Sequence, residues 1–295
     1  MAKLLTWLAF ALMSWNLAWA APSTPSPNPP EWTTPLAPFR IAGNLYYVGS
    51  KDLASYLIVT AKGNVLINSG TESSVPLIKS AIEQLGFKYA DTKVLLISHA
   101  HQDHAAGSAQ IVKETGARYM VMDGDVPAVE SGGKLDFVYS YMTYPPTNVD
   151  HVLHDGETVR LADAVLIAHK TPGHTRGCTT WTMKVKDGAR TLNVVIVGGW
   201  YVTSGYRLVE RSTQPDSYPG IAKDYEHMFD VLKSLPCDIF LGAHGSYFDL
   251  LKKLDQQKAA PGSEVWIDPQ GYQAALAARE QDFRDELRKQ QGGAG

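Results

Sequence analysis

Residues 98–107, Ser-His-Ala-His-Gln-Asp-His-Ala-Ala-Gly, place four potential metal ligands within six positions: His99, His101, Asp103 and His104. They follow the apolar run 94–97, which has the composition of a buried strand, and the histidines begin where that run ends. In an extended chain the side chains at i and i+2 point the same way, so His99 and His101 can grip one ion from one side. Asp103 and His104, at the start of the next helix, can face a second ion. Imidazole and carboxylate suit zinc, whose catalytic sites take three protein ligands and leave one position open. Four donors are too few for two such ions, so further ligands must come from elsewhere in the chain.

Two other segments repeat the context of strand end, glycine and histidine. Thr-Pro-Gly-His-Thr-Arg-Gly at 171–177 sets His174 in a turn after the apolar run 164–168, and Leu-Gly-Ala-His-Gly at 241–245 sets His244 directly after the run 238–241. His169 is the rival to His174, which is preferred because Pro172 and Gly173 make the exposed turn a ligand needs. His151 and His154 sit beside a turn and His227 in a helix; these are read as non-ligands.

The element order around the motif is that of a layered α/β chain. Strands are expected at 40–48, 55–59 and 64–68, a helix at 74–85 stopped by Gly86, a strand at 93–97, a helix at 105–115, a strand at 118–122 and a short helix at 123–130. Residues 131–148 carry four aromatics and no clean period, and either cover the metal site or form a surface excursion packed on its own rings. Strands follow at 157–161, 164–168, 179–185 and 191–197, the last two joined by a hairpin turn at 186–188. A helix ending near 235, a strand at 238–241 and helices at 246–257 and 270–290 close the chain.

Lys3, the apolar stretch 4–17 and Ala18-Trp19-Ala20 read as a secretory signal peptide over residues 1–20. The stretch is short for a bilayer and interrupted by Ser14 and Asn16, which argues against an anchor helix. The mature chain is therefore expected in the periplasm, without stable membrane association. Residues 21–38, rich in Pro, Ser and Thr, read as an extended arm, leaving 39–295 as a single catalytic domain. A net charge of −3 with no basic run offers no footprint for nucleic acid, and a monomer is the favoured state. Cys178 and Cys237 could pair in an exported protein; the sequence leaves this open, and two free thiols are the preferred reading.

His-x-His-x-Asp-His, followed by Gly-His and a third loop histidine, resembles the metallo-β-lactamase superfamily. Tyr144-Pro145-Pro146-Thr147-Asn148, Asp155-Gly156-Glu157, Gly173-His174-Thr175, Gly205-Tyr206 and Leu235-Pro236-Cys237-Asp238 resemble segments of subclass B3 in the same order. The resemblance implies an αββα sandwich, an α/β fold of two mixed sheets flanked by helices with the metals at one edge. It implies two Zn2+ per chain, the first held by His99, His101 and His174 and the second by Asp103, His104 and His244. It also implies hydrolysis of the β-lactam amide of penicillins, cephalosporins and carbapenems by a metal-bound hydroxide without an acyl-enzyme, with Asp103 orienting the nucleophile. Residues 198–204, Gly-Gly-Trp-Tyr-Val-Thr-Ser, depart from the small hydroxyl residues with which relatives hold the substrate carboxylate. Trp200 stands in that place, and Thr203, Ser204 and Arg207 are the alternative contacts. The cysteine that some relatives pair with the equivalent of Cys237 is absent around Trp266. A lactonase or thioesterase of the same superfamily is the rival function, disfavoured because the strand 193–197 leads into Gly-Gly-Trp with no carboxylate to bridge the metals. A non-catalytic zinc protein is disfavoured by the complete ligand set.

Overall fold

Gly43, at φ +51°, breaks the stretch expected as one strand into a hairpin of β1 (Phe39–Ala42) and β2 (Leu45–Tyr47). A Cβ at Gly43 would lie 2.4 Å from the Lys186 carbonyl oxygen, so only glycine lets this turn pack against the opposite sheet. The computed structural model describes residues 28–211 and 214–292. The signal peptide expected at 1–20 and the start of the arm lie outside the described residues.

From this hairpin the first sheet grows as β3 (Tyr56–Thr60), β4 (Gly63–Ile67), β5 (Thr92–Leu96), β6 (Arg118–Met122) and β7 (His151–Leu153). Its seven strands lie in sequence order, antiparallel from β1 to β4 and parallel from β4 to β7. Strand β7 was not among the strands expected: its three residues begin with His151 and run into His154, too short a stretch to show alternation. The second sheet has the order β12-β11-β10-β9-β8, built from β8 (Glu157–Leu161), β9 (Ala164–Lys170), β10 (Thr179–Asp187), β11 (Arg190–Val197) and β12 (Ile239–Gly242). Only β12 is parallel to its neighbour.

Period-two alternation sends the two faces of each sheet into different cores. In β4, Val65 and Ile67 face the inter-sheet core, while Leu66 faces the layer of α1 (Ser74–Gln84) and α3 (Ser108–Thr115). On the far side, β11 is apolar on both faces because α5 (Ile221–Ser234) and α7 (Pro269–Gln290) cover it through Met228, Phe229, Leu276 and Phe283. The layers are therefore helix, sheet, sheet, helix, as the resemblance implies. The helix expected at 105–115 begins later, as α3, and is preceded by a separate turn, α2 (Gln102–Ala105), because the Gly107 N–H bonds the Gly70 carbonyl at 3.1 Å instead of a carbonyl of the preceding turn. α4 (Val126–Glu130) follows a 3-10 turn at Asp123–Asp125, and α6 (Leu250–Ala259) follows a 3-10 turn after His244. Cys178 and Cys237 are both free thiols. Among the described residues no helix is long and apolar enough to cross a membrane.

Candidate metal centre

The chain leaving β5 is stapled before the histidines begin. Asn68, at φ +67° past the end of β4, accepts the Ser98 N–H at 2.7 Å and donates its amide to the Ala54 carbonyl at 3.0 Å. His99 follows, His101 sits on extended backbone at the start of α2, and α2 carries Asp103 and His104 in its single turn. The loop from β9 to β10 brings His174 from the second sheet, and the end of β12 brings His244.

These six side chains form two donor groups. One donor atom each from His99, His101 and His174 lie within 4.8 Å of one another, as do those of His99, Asp103 and His104. His244 completes the second group: its Nε2 is 3.2 Å from His104 Nε2 and 3.3 Å from Asp103 Oδ2, which is itself 3.1 Å from His104 Nε2. His99 lies within reach of both groups and is 1% exposed. Neither of its ring nitrogens, nor His104 Nδ1, has a hydrogen-bond partner among the described residues. Leaving such a buried group unsatisfied costs about 1–3 kcal/mol each. A cation bound by a His99 lone pair would partner one of those nitrogens, and imidazoles and a carboxylate converging on one point are the donor set a metal takes, so the residues fit a metal.

Outer partners hold the rings. His244 Nδ1 lies 2.9 Å from Asp52 Oδ2, whose other oxygen accepts the Ser246 N–H. His174 Nδ1 donates to the Tyr201 carbonyl at 3.0 Å, and His101 Nε2 lies 3.3 Å from Asp136 Oδ2. Such contacts fix the ring orientation and leave the other nitrogen for the metal. Tyr206 donates its hydroxyl to the His174 carbonyl at 2.6 Å.

Burial, reinforced by neighbouring imidazoles, holds His99 well below the ordinary histidine range and His174 at about 3. Burial lowers His104 as well, outweighing the pull of Asp103. His244 goes the other way: burial disfavours its charge, but hydrogen bonds to Asp103 and Asp52 and their charges outweigh this and raise it to about 9. Asp52 is correspondingly held at about 2, its burial overcome by the hydrogen bond and charge of His244 and by Ser246. In the metal-free protein, protonated His244 therefore contributes stability that is fully present below the unfolded histidine value, roughly 6.5, and is lost as pH rises through about 9. Metal must displace that proton. Loading the Asp103–His104–His244 group at pH 7 should therefore release the His244 proton. Calorimetric titration in buffers of different ionisation enthalpy measures this, and loading of that group without proton release would contradict it.

His101, Asp103, His174 and His244 floor a cavity of about 480 Å³. Trp32 walls it on the arm side, 5.7 Å from the His244 ring between centroids. Asp136, Tyr139, Met142 and Tyr144 wall it from segment 131–148, which thus covers the site, and Tyr201 and Tyr247 close the remaining side. Tyr144 donates its hydroxyl to the Ala100 carbonyl at 2.6 Å, fixing the segment to the metal loop.

Of the four expected substrate contacts, only Thr203 lines the cavity. Trp200 is corrected: it is 2% exposed and packs beneath the site against Phe240 and Tyr247. Gly199 lies so close to the His174 ring that a Cβ would sit 2.7 Å from it, and the chain turns there, sending the next side chain into the core. Ser204 is exposed and offers its carbonyl to Tyr139, and Arg207 donates to the Pro215 carbonyl outside the cavity. His169 bonds Thr182 within the second sheet, away from the donor groups, His151 and His154 engage Glu157 and Asp123, and His227 is exposed on α5. Asp52, Asp136 and Asp125 were missed: each is a lone carboxylate in a loop, far from the ligands in sequence, with no spacing signal to mark it.

The family model of the metallo-beta-lactamase superfamily matches residues 53–244, spanning the donor set from the Asp52 loop to His244. The chain belongs to the metallo-β-lactamase superfamily. Within that superfamily, the FEZ-1 metallo-beta-lactamase from Legionella gormanii is 54% identical, with 88% of this chain and 98% of that chain covered at a TM-score of 0.85. BJP-1, a subclass B3 metallo-beta-lactamase of Bradyrhizobium japonicum, is 35% identical, with 89% and 98% covered at a TM-score of 0.82. Among curated proteins, a probable hydroxyacylglutathione hydrolase of Schizosaccharomyces pombe is 27% identical over 141 residues, 47% of this chain and 46% of that protein. The chain spans about half the length of the curated relatives it matches.

Proposed function

We propose that this chain is a zinc-dependent β-lactamase that opens the amide bond of penicillins, cephalosporins and carbapenems. One observation carries the reading: two donor groups that share the buried His99 and present His101, Asp103, His174 and His244 to a 480 Å³ cavity, in a chain 54% identical to a metallo-beta-lactamase over 98% of that enzyme's length. His99, His101 and His174 would hold the first of two Zn2+, and Asp103, His104 and His244 the second. When bound, zinc supplies Lewis acidity and a water activated for attack at neutral pH.

The chain's own residues do the rest. Asp103 lines the cavity, and His104 and His244 hold its carboxyl ionised against the cost of burial, so it can accept a hydrogen bond from the attacking water and orient it. Thr203 lines the cavity with its hydroxyl oxygen buried, and a turn of the side chain would bring that hydroxyl to the substrate carboxylate. Trp32, Tyr139, Tyr201 and Tyr247 give the fused ring system apolar walls and exclude bulk water. Cys178 is buried, with its thiol pushed up by burial, and takes no part as a nucleophile. The end of β11 passes under His174 as glycine, with no carboxylate to bridge two metals, which supports a β-lactamase over a lactonase or thioesterase. The proposal includes export by the signal peptide 1–20, a periplasmic monomer free of the membrane, and one catalytic domain over 39–295.

The test is hydrolysis of a chromogenic cephalosporin and a carbapenem by the zinc-loaded protein, with and without chelator. Turnover that chelator removes and zinc restores is the expected result. A zinc-loaded protein that leaves both substrates intact while cleaving a lactone or thioester would overturn the reading.

A further inference from the structure

The three histidines of the first donor group come from two loops on opposite sheets, and one buried carboxylate joins those loops. Asp125 ends the 3-10 turn after β6 and is 2% exposed. Its Oδ2 accepts the Ala100 N–H at 2.8 Å and the Thr175 hydroxyl at 2.8 Å, and its Oδ1 accepts the Gly177 N–H at 2.8 Å. Ala100 lies between His99 and His101, and Thr175 directly follows His174. The approach is backbone-tight: a Cβ at Gly124 would sit 2.3 Å from the Arg176 carbonyl oxygen, and one at Gly177 would sit 2.4 Å from the Asp125 nitrogen. The Ala100 peptide is held at both ends, its N–H by Asp125 and its carbonyl by Tyr144.

We propose that Asp125 is a positioning residue that sets the separation between His99–His101 and His174, and through it the metal affinity of the first donor group. This rests on the metal-binding reading above, but not on the identity of the substrate. An ionised carboxylate is acceptor-only, with room on its two oxygens for all three donors. An asparagine of the same shape has one acceptor oxygen and an NH2. Whichever way it turns, a donor faces either Gly177 N–H or the Ala100–Thr175 pair, and the two loops must separate to relieve it. Asp125 touches neither His99, His101 nor His174, so its influence runs through the loops. Partners that orient metal ligands at one remove are worth roughly 10–100-fold in affinity.

The experiment uses the full chain, stripped of metal and titrated with Zn2+ against a chromophoric chelator, with Co2+ spectra recorded in parallel. In Asp125→Asn, zinc binding at the three-histidine group should weaken roughly 10–100-fold, and the Co2+ bands of that group should shift. The Asp103–His104–His244 group should change little. Thr175→Val removes one of the three donors and should weaken the same group by a smaller factor, whereas Thr175→Ser keeps the hydroxyl and should restore it. That pair carries the test if Asp125→Asn does not fold. Unchanged first-group affinity and spectra in folded Asp125→Asn, or equal weakening of both groups, would overturn the proposal. A lower melting temperature of the metal-free variant with normal affinity would do the same, since it marks a structural role alone. The readout is metal binding, so loss of the β-lactamase reading to a different substrate would leave this result distinguishable.

Discussion

Asp103→Asn in the zinc-loaded protein should lower kcat for a chromogenic cephalosporin by roughly 10²–10⁴-fold, the range for removal of a group that manages a proton in the transition state. The substitution keeps the shape of the side chain and removes its charge at the point where three side chains converge. Asp103 Oδ2 lies 3.1 Å from His104 Nε2 and 3.3 Å from His244 Nε2. On the proposed reading, an amide there would cost a second Zn2+ one of its ligands and the attacking water its ionised acceptor together. In the metal-free protein it also leaves His244 with one carboxylate partner, Asp52, so the His244 imidazole should titrate below the value of about 9 that the two carboxylates sustain there. Zinc content should fall from two toward one per chain while the fold persists, because the first donor group is untouched. Steady-state kinetics with metal analysis check this. A kcat within tenfold of the parent at full zinc content would show that Asp103 is a bystander.

The candidate ligands were legible because three segments show the same abrupt change in chain chemistry: an apolar strand ends and a histidine follows. That signal is local, and the six residues it drew attention to lie together in two donor groups. The carboxylates that orient or space those ligands gave no such signal. Asp52 reaches His244 across 192 residues, Asp136 reaches His101 from a segment without period, and Asp125 reaches Ala100 and Gly177 from a 3-10 turn. In sequence each is an ordinary loop aspartate; only the closing of one sheet on the other makes it a partner. Trp200 fails for a related reason. The resemblance put Trp200 where relatives carry a small hydroxyl residue, and whether the ring faces the cavity or the core depends on where the His174 ring lies, which the local sequence does not encode. The split of 40–48 into β1 and β2 was signalled by Gly43-Asn44, a turn pair that the apolar residues on either side outweighed.

How firmly the two sheets hold the metal loop is tested at Trp181. This side chain is 1% exposed on β10, opposite Ile196 of β11 and Ala168 of β9, and fills the space between the sheets. Its indole N–H donates to the Ile97 carbonyl at 3.1 Å, two residues before His99. Trp181→Ala should cost about 3–5 kcal/mol through lost burial and the cavity left behind. With about 2–4 °C per kcal/mol for a chain near this size, the metal-free protein should melt roughly 10 °C lower. Trp181→Phe keeps most of the volume and gives up the hydrogen bond, leaving a buried carbonyl unpaired, and should cost about 1–3 kcal/mol. Denaturant unfolding of the metal-free chain separates the two. If packing dominates, alanine is far the worse; if the tether to Ile97 dominates, the two variants fall together. The first outcome is expected, since Ile97 already lies in apolar contact with the α1–α3 layer and needs the indole for direction more than for burial.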